Sequence, residues 1–202
     1  MKGPAIIEIP SFFRNKAAKR LTFNEQGLKI EKLNSFDPAV FIAAENIVAF
    51  RFGAPAVRGY AFTIGRRYFI EVKDSGDNIH KVQFKSYYGV RRETYTKVWS
   101  EIITQLWNYY FSGICSEKFQ LYKKLQVFDF AGVSFLFDGI RWDAKNKLLW
   151  NEIALSNYKT YFTMHHVQNP KQHKSFNFDN HWNAVVLQYL LKKITGENKE
   201  LH

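Results

Sequence analysis

"RLTFNEQGLKIEKL" (residues 20–33) and "GVSFLFDGIRWDAK" (132–145) decide the fold, because the second echoes the first at a constant spacing of 112 residues. Leu21 falls on Val133, Phe23 on Phe135, Gly27 on Gly139, Leu28 on Ile140 and Ile30 on Trp142. Each copy alternates apolar and polar residues, meets a glycine and alternates again, which is the pattern of a β-hairpin. The glycine is expected at the turn itself, where a positive φ excludes most side chains.

Downstream, the echo continues. "FIAAENI" (41–47) matches "KLLWNEI" (147–153), and "YFIEVKDSGDNIHKVQF" (68–84) matches "FTMHHVQNPKQHKSFNF" (162–178) without a gap. Each copy then ends in an amphipathic helix, with Val98, Ile102, Leu106, Tyr109 and Tyr110 on one face of the first. Trp182, Val186, Leu187, Leu190 and Ile194 share a face of the second. The same elements in the same order imply duplication of one unit: short antiparallel strands followed by a helix.

The expected fold class is therefore α+β, with each unit an antiparallel β-barrel or half-barrel capped by a C-terminal α-helix. This arrangement resembles the pleckstrin-homology (PH-like) fold, and the chain resembles a tandem of bacterial PH-like domains. The expected divisions are a first domain over 1–114, a linking helix over 115–126 packed on that domain, and a smaller second domain over 127–202. Members of the fold that hold inositol phosphates carry basic residues around their first hairpin. The turns matched to it here, "FNEQG" (23–27) and "FLFDG" (135–139), are polar, acidic or apolar. The resemblance thus implies protein binding or scaffolding, and no binding residue is carried over from it.

Composition sets the outer bounds. With 202 residues, 46% hydrophobic and 17% aromatic, the chain can bury a substantial core. A net charge of +11 favours anionic partners. No apolar run approaches the length needed to span a bilayer, so no transmembrane segment is expected. "MKGPAIIEIP" is too weakly apolar to read as a signal peptide. A single cysteine, Cys115, fits a reducing compartment, and the expected location is cytoplasmic.

Where the copies differ in length, the first is longer, around "RFGAPAVRGYAFTIGRRYF" (51–69) and "KSYYGVRRETY" (85–95). Six of the nine arginines lie there: Arg51, Arg58, Arg66, Arg67, Arg91 and Arg92. Tyr60, Phe62, Tyr87 and Tyr88 are interleaved with them. Arginine pairs bidentately with phosphate or carboxylate and stacks on aromatic rings, so these loops are the candidate partner-binding surface. The alternative is a plain hairpin, with Gly65 at the turn and the arginines paired to Glu71 and Glu93.

The chain lacks the glycine-rich phosphate loops, the GxSxG elbow and the HExxH helix that mark common enzyme classes. Cys115 follows an aromatic helix end and reads as a packed small residue. Asp129, Asp138, Asp143 and Glu152 sit at turns without a spacing suited to acid–base work. "TMHHVQNPKQHKS" (163–175) holds three of the six histidines. In a hairpin with Phe162 opposite Phe178, His165 and His166 face opposite ways and His173 lies diagonal to His165. Such a trio cannot enclose a metal. No catalytic, cofactor or metal residue is assigned. The expected function is a non-enzymatic interaction or scaffold protein binding another protein through the loops of the first domain. The alternative is direct binding of an anionic ligand, a phospholipid headgroup or nucleic acid, by the same arginine and tyrosine loops.

Overall fold

The computed structural model describes residues 3–13, 16–33, 35–60 and 62–199. The chain divides into two compact units, Met1–Phe111 and Ser112–His202.

In the first unit, β1 (Ala5–Pro10), β2 (Ala17–Asn24), β3 (Gly27–Lys32) and β4 (Val40–Ala43) form an antiparallel meander. A 3₁₀ turn, Ala44–Asn46, leads to a second sheet of β5 (Ile47–Gly53), β6 (Ala56–Arg58), β7 (Thr63–Asp74) and β8 (Ile79–Tyr87). Helix α1 (Arg92–Leu106) and a π-helical turn, Trp107–Phe111, follow. In the second unit α2 (Ser112–Lys123) precedes a meander of β9 (Phe128–Phe130), β10 (Val133–Phe135), β11 (Gly139–Arg141) and β12 (Lys147–Leu149). A 3₁₀ turn, Trp150–Glu152, leads to β13 (Ile153–Asn157), β14 (Tyr161–His166) and β15 (His173–Asn177), and α3 (Ala184–Lys199) closes the unit. Four strands, a 3₁₀ turn, further antiparallel strands and a helix thus occur twice, with β6 added in the first.

The α+β class and the antiparallel sheets agree with the sequence pattern. A closed barrel does not form: β1, β4, β9 and β12 remain edge strands, because each meander stops at its 3₁₀ turn and a separate sheet begins. The helix of the linking stretch falls in the second unit. It is α2, and it packs on α3 there, with the Lys193 ammonium 4.0 Å from the centre of the Phe119 ring.

Alternation builds each core. In the first unit Leu21, Phe23 and Leu28 of the first sheet and Tyr68, Ile70 and Val72 of β7 are all buried, and Phe50 stacks on Phe111 with ring centres 3.9 Å apart. In the second unit Phe135, Ile140, Phe162, Met164 and Phe176 bury against Val186, Leu187, Leu190, Leu191 and Ile194. Each such side chain contributes about 2 kcal/mol when fully removed from water. Trp182, expected on the face of α3, lies just before the helix begins. Along the first helical run the buried positions are Tyr95, Ile102, Leu106 and Tyr110, and then Phe111, Cys115 and Phe119. The stripe slips by one residue within the π turn, whose wider winding accommodates one extra residue.

Gly27 holds the expected positive φ, at 156°, and Gly139 does not; both share a second reason. Gly27 and Gly139 open β3 and β11, and a Cβ on either would lie 2.2 Å from the Ile42 carbonyl oxygen or 2.0 Å from that of Leu148. The neighbouring strand passes too close for any side chain. Gly65 is likewise no turn: it sits inside β7 opposite Tyr87, with the Ser86 carbonyl oxygen 2.0 Å from where a Cβ would be.

The β14–β15 register also differs from the gapless match. Phe162 pairs with Phe176 rather than Phe178, so the turn is two residues shorter than its counterpart between β7 and β8. A slip of two keeps every side chain on its face, which is why the apolar pattern did not reveal it.

Candidate functional site: the turn end of the first unit

Strand β1 was absent from the sequence-level units, and it changes which turn comes first. The first hairpin is β1–β2, and "FNEQG" closes the second. Ile9, Lys19 and Lys32 are aligned across the sheet, so turns 11–16 and 33–39 leave the same end of it. Phe12 meets Tyr87 edge to face at 6.0 Å, Arg91 Nε donates to the Phe12 carbonyl at 3.2 Å, and the Tyr95 hydroxyl donates to the Pro10 carbonyl. These contacts bring the first turn beside the ends of β7 and β8. There the Tyr88 amide donates to the Ile64 carbonyl and Gly59 N–H closes the β6–β7 turn on the Phe62 carbonyl. Residues 11–13, 59–60, 62 and 88–91 therefore gather at one end of the unit.

The side chains left exposed at that end are aromatic. Phe13 is 91% exposed, Tyr88 is 79% exposed, and Tyr60, Phe62 and Phe36 also project into solvent. Tyr88 and Arg91 hold left-handed backbone at φ 49° and 57°, conformations that cost a non-glycine residue of order 1 kcal/mol each. Neither Phe13 nor Phe36 was singled out from the sequence. For Phe36 the usable signal was an aromatic between the polar turn residues Ser35 and Asp37; Phe13, which follows Phe12, had no such signal.

The arginines do not converge. Arg51 and Arg67 lie on the outer face of the second sheet, while Arg66, adjacent to Arg67, points the other way and donates to the Ala54 carbonyl at 2.9 Å. Arg51 is neutralised: its Nε lies 2.7 Å from Glu71, whose other oxygen takes Lys81 at 2.6 Å. Burial works to raise the Glu71 pKa, but the bonds from Lys81 and Arg51 outweigh it and hold the carboxyl below its ordinary value. Arg67 lies over the Phe69 ring at 5.6 Å. Tyr87 packs on Phe12 rather than facing solvent. Arg58 and Arg92 remain exposed with no acidic partner among the described residues. A hollow of about 350 Å³ at Arg91 sets Glu8 against Lys16 and Arg91, a mixed lining rather than a cradle for one phosphate.

The other candidate groups have local roles. His166 Nδ1 accepts the Gln168 and Asn169 amides and so closes the β14–β15 turn. His165 bonds Ser156 and sits directly opposite His173, whose Nδ1 faces the Pro170 and Lys171 carbonyls. Among the described residues no three histidine, cysteine or acidic side chains are grouped to hold a metal. Cys115 is buried, which pushes its thiol pKa up and away from the reactive thiolate. Asp129 bonds Ser134, Asp138 pairs with Lys147, Asp143 holds Asn146 and Glu152 accepts the Leu149 amide. No described helix is long and apolar enough to cross a membrane.

No protein-family model matches the chain, and no curated protein matches it in sequence.

Proposed function

We propose that the chain is a non-enzymatic interaction module of two PH-like units related by duplication, and that the turn end of its first unit docks on an anionic membrane surface. The repeated element order and the equivalent close approaches at Gly27 and Gly139 support the duplication. One observation carries the docking: Phe13, Tyr60, Phe62 and Tyr88 project from three turns beside Arg58 and Arg92, which lack acidic partners among the described residues. Aromatic rings favour the headgroup level of a bilayer, and each cation near an anionic surface adds about 1 kcal/mol. Separate protruding tips suit a deformable surface better than the flat, contiguous patch of a protein interface. The mixed lining around Glu8 argues against a pocket for one headgroup, so surface charge rather than headgroup identity governs binding.

Sedimentation with phosphatidylserine/phosphatidylcholine vesicles tests this. Binding is expected to fall with added salt, to vanish on pure phosphatidylcholine, and to weaken at least about tenfold in Tyr60→Ala/Phe62→Ala/Tyr88→Ala and in Arg58→Glu/Arg92→Glu. Protein that stays in the supernatant with anionic vesicles overturns the lipid reading and leaves the same end to a protein partner.

A further inference from the structure

The second unit carries an open edge that is independent of the turn end. Strand β13, "IALSN", pairs only with β14. The bonds flanking it, from the Val167 amide to the Glu152 carbonyl and from the Tyr158 amide to the Tyr161 carbonyl, fix the alternation of the ladder. Ala154 and Ser156 therefore turn their backbone groups to β14, while Ile153, Leu155 and Asn157 turn theirs outward. Among the described residues nothing meets the N–H groups of Leu155 and Asn157 or the three outward C=O groups, while the Ile153 N–H stands at the close of the 3₁₀ turn Trp150–Glu152. The strand contains no charged residue or proline, the usual means by which an edge is blunted.

Beside this edge runs a groove of about 320 Å³, its helix side formed by Lys192, Thr195 and Gly196 of α3. A Cβ at Gly196 would meet nothing within 4 Å, so the glycine widens the groove. The Lys192 ammonium rests 5.6 Å from the Tyr189 ring centre and has no acidic partner among the described residues.

We infer that this edge and groove take an extended peptide segment of a protein partner, which adds a strand to β13 and sets an acidic side chain against Lys192. Main-chain bonds to Ile153, Leu155 and Asn157 supply affinity, since a free edge satisfies any strand in register. The narrow groove admits small apolar side chains at alternate positions, and the lone cation selects the acid. Occupants of other chemistry fit less well: an anionic surface cannot supply backbone donors to the outward carbonyls.

The test pans a phage-displayed library of random dodecamers on the full chain, then synthesises the enriched sequence. Expected are peptides alternating apolar residues with an acid, and slowed hydrogen exchange at the Leu155 and Asn157 amides on binding. Gly196→Trp fills the groove while replacing a helix glycine with a better helix former, and is expected to lower affinity at least about tenfold. Lys192→Glu, on the exposed face of α3, is expected to remove the preference for acid. The inference falls if panning enriches nothing over a bare surface, if protection appears at other amides, or if Gly196→Trp binds as well as the parent.

Discussion

The passage from β5 to β7 in the first unit and that from β13 to β14 in the second join equivalent strands in opposite ways. The first spends residues 54–62 on an added strand and a projecting turn; the second closes at once, with Tyr158 stacked on Tyr161 at 4.4 Å. Behind both, the inward-facing rows are alike: Tyr68, Ile70 and Val82 in one, Phe162, Met164 and Phe176 in the other. The outer faces have diverged. Arg51, Glu71 and Lys81 form an ion row across the first sheet, and Ala154, His165 and His173 occupy the same row of the second. A shared core with unlike rims means that packing constrains the scaffold while the rim is open to a task.

The most severe way to break this comparison is Gly27→Val and Gly139→Val made separately. Each forces a side chain into a neighbouring carbonyl, so each is expected to lose about 3 kcal/mol in urea unfolding followed by tryptophan fluorescence. Tolerance of one and not the other would separate the two units. Glu71→Gln leaves Arg51 and Lys81 without their anion and is expected to lose about 1–2 kcal/mol, whereas His165→Gln is expected to lose less than about 1 kcal/mol. Equal losses would erase the difference between the two outer rows.

Acid titration sharpens the comparison of the two turns. Asp74 closes the β7–β8 turn by accepting the Gly76 and Asn78 amides, and its pKa is held at about 2, chiefly by the bond to His80. Its folded-state value lies below the ordinary 3.8, so its stabilisation is complete above that and disappears as pH falls towards 2. Asp74→Asn is expected to flatten the unfolding midpoint over this window. The equivalent end of the second unit has a ring nitrogen, not a carboxylate, in the closing role. The smallest expected effect is on stability in Tyr60→Ala/Phe62→Ala/Tyr88→Ala. Midpoints should stay within about 0.5 kcal/mol per site while vesicle binding disappears, because these rings cover no core.

The element order was legible because alternation, a glycine and a helical stripe recur at matching positions. Strand β1 was not: "AIIEIP" is short and interrupted by Glu8, and only its pairing with β2 marks it as a strand. Nor could periodicity see the two-residue shortening before β15. The pairing of an arginine with Glu71 was legible, as Arg51 shows, but the burial of Glu71 to 5% exposure and the parity along β7, which sends Arg66 and Arg67 apart, were not. The exposed aromatics were hidden by their own abundance, since Phe13 and Phe23 differ in sequence only by what stands beside them.

The π turn at Trp107–Phe111 has a bearing on descent. From Ile102 the buried positions recur every fourth residue to Tyr110, and from Phe111 they recur every fourth residue to Phe119. Deleting one residue there would merge both series into a single regular ladder. The turn is thus the place where a one-residue length difference between homologous helices would be absorbed, and an alignment of related chains should open its gap at 107–111 rather than within α1 or α2.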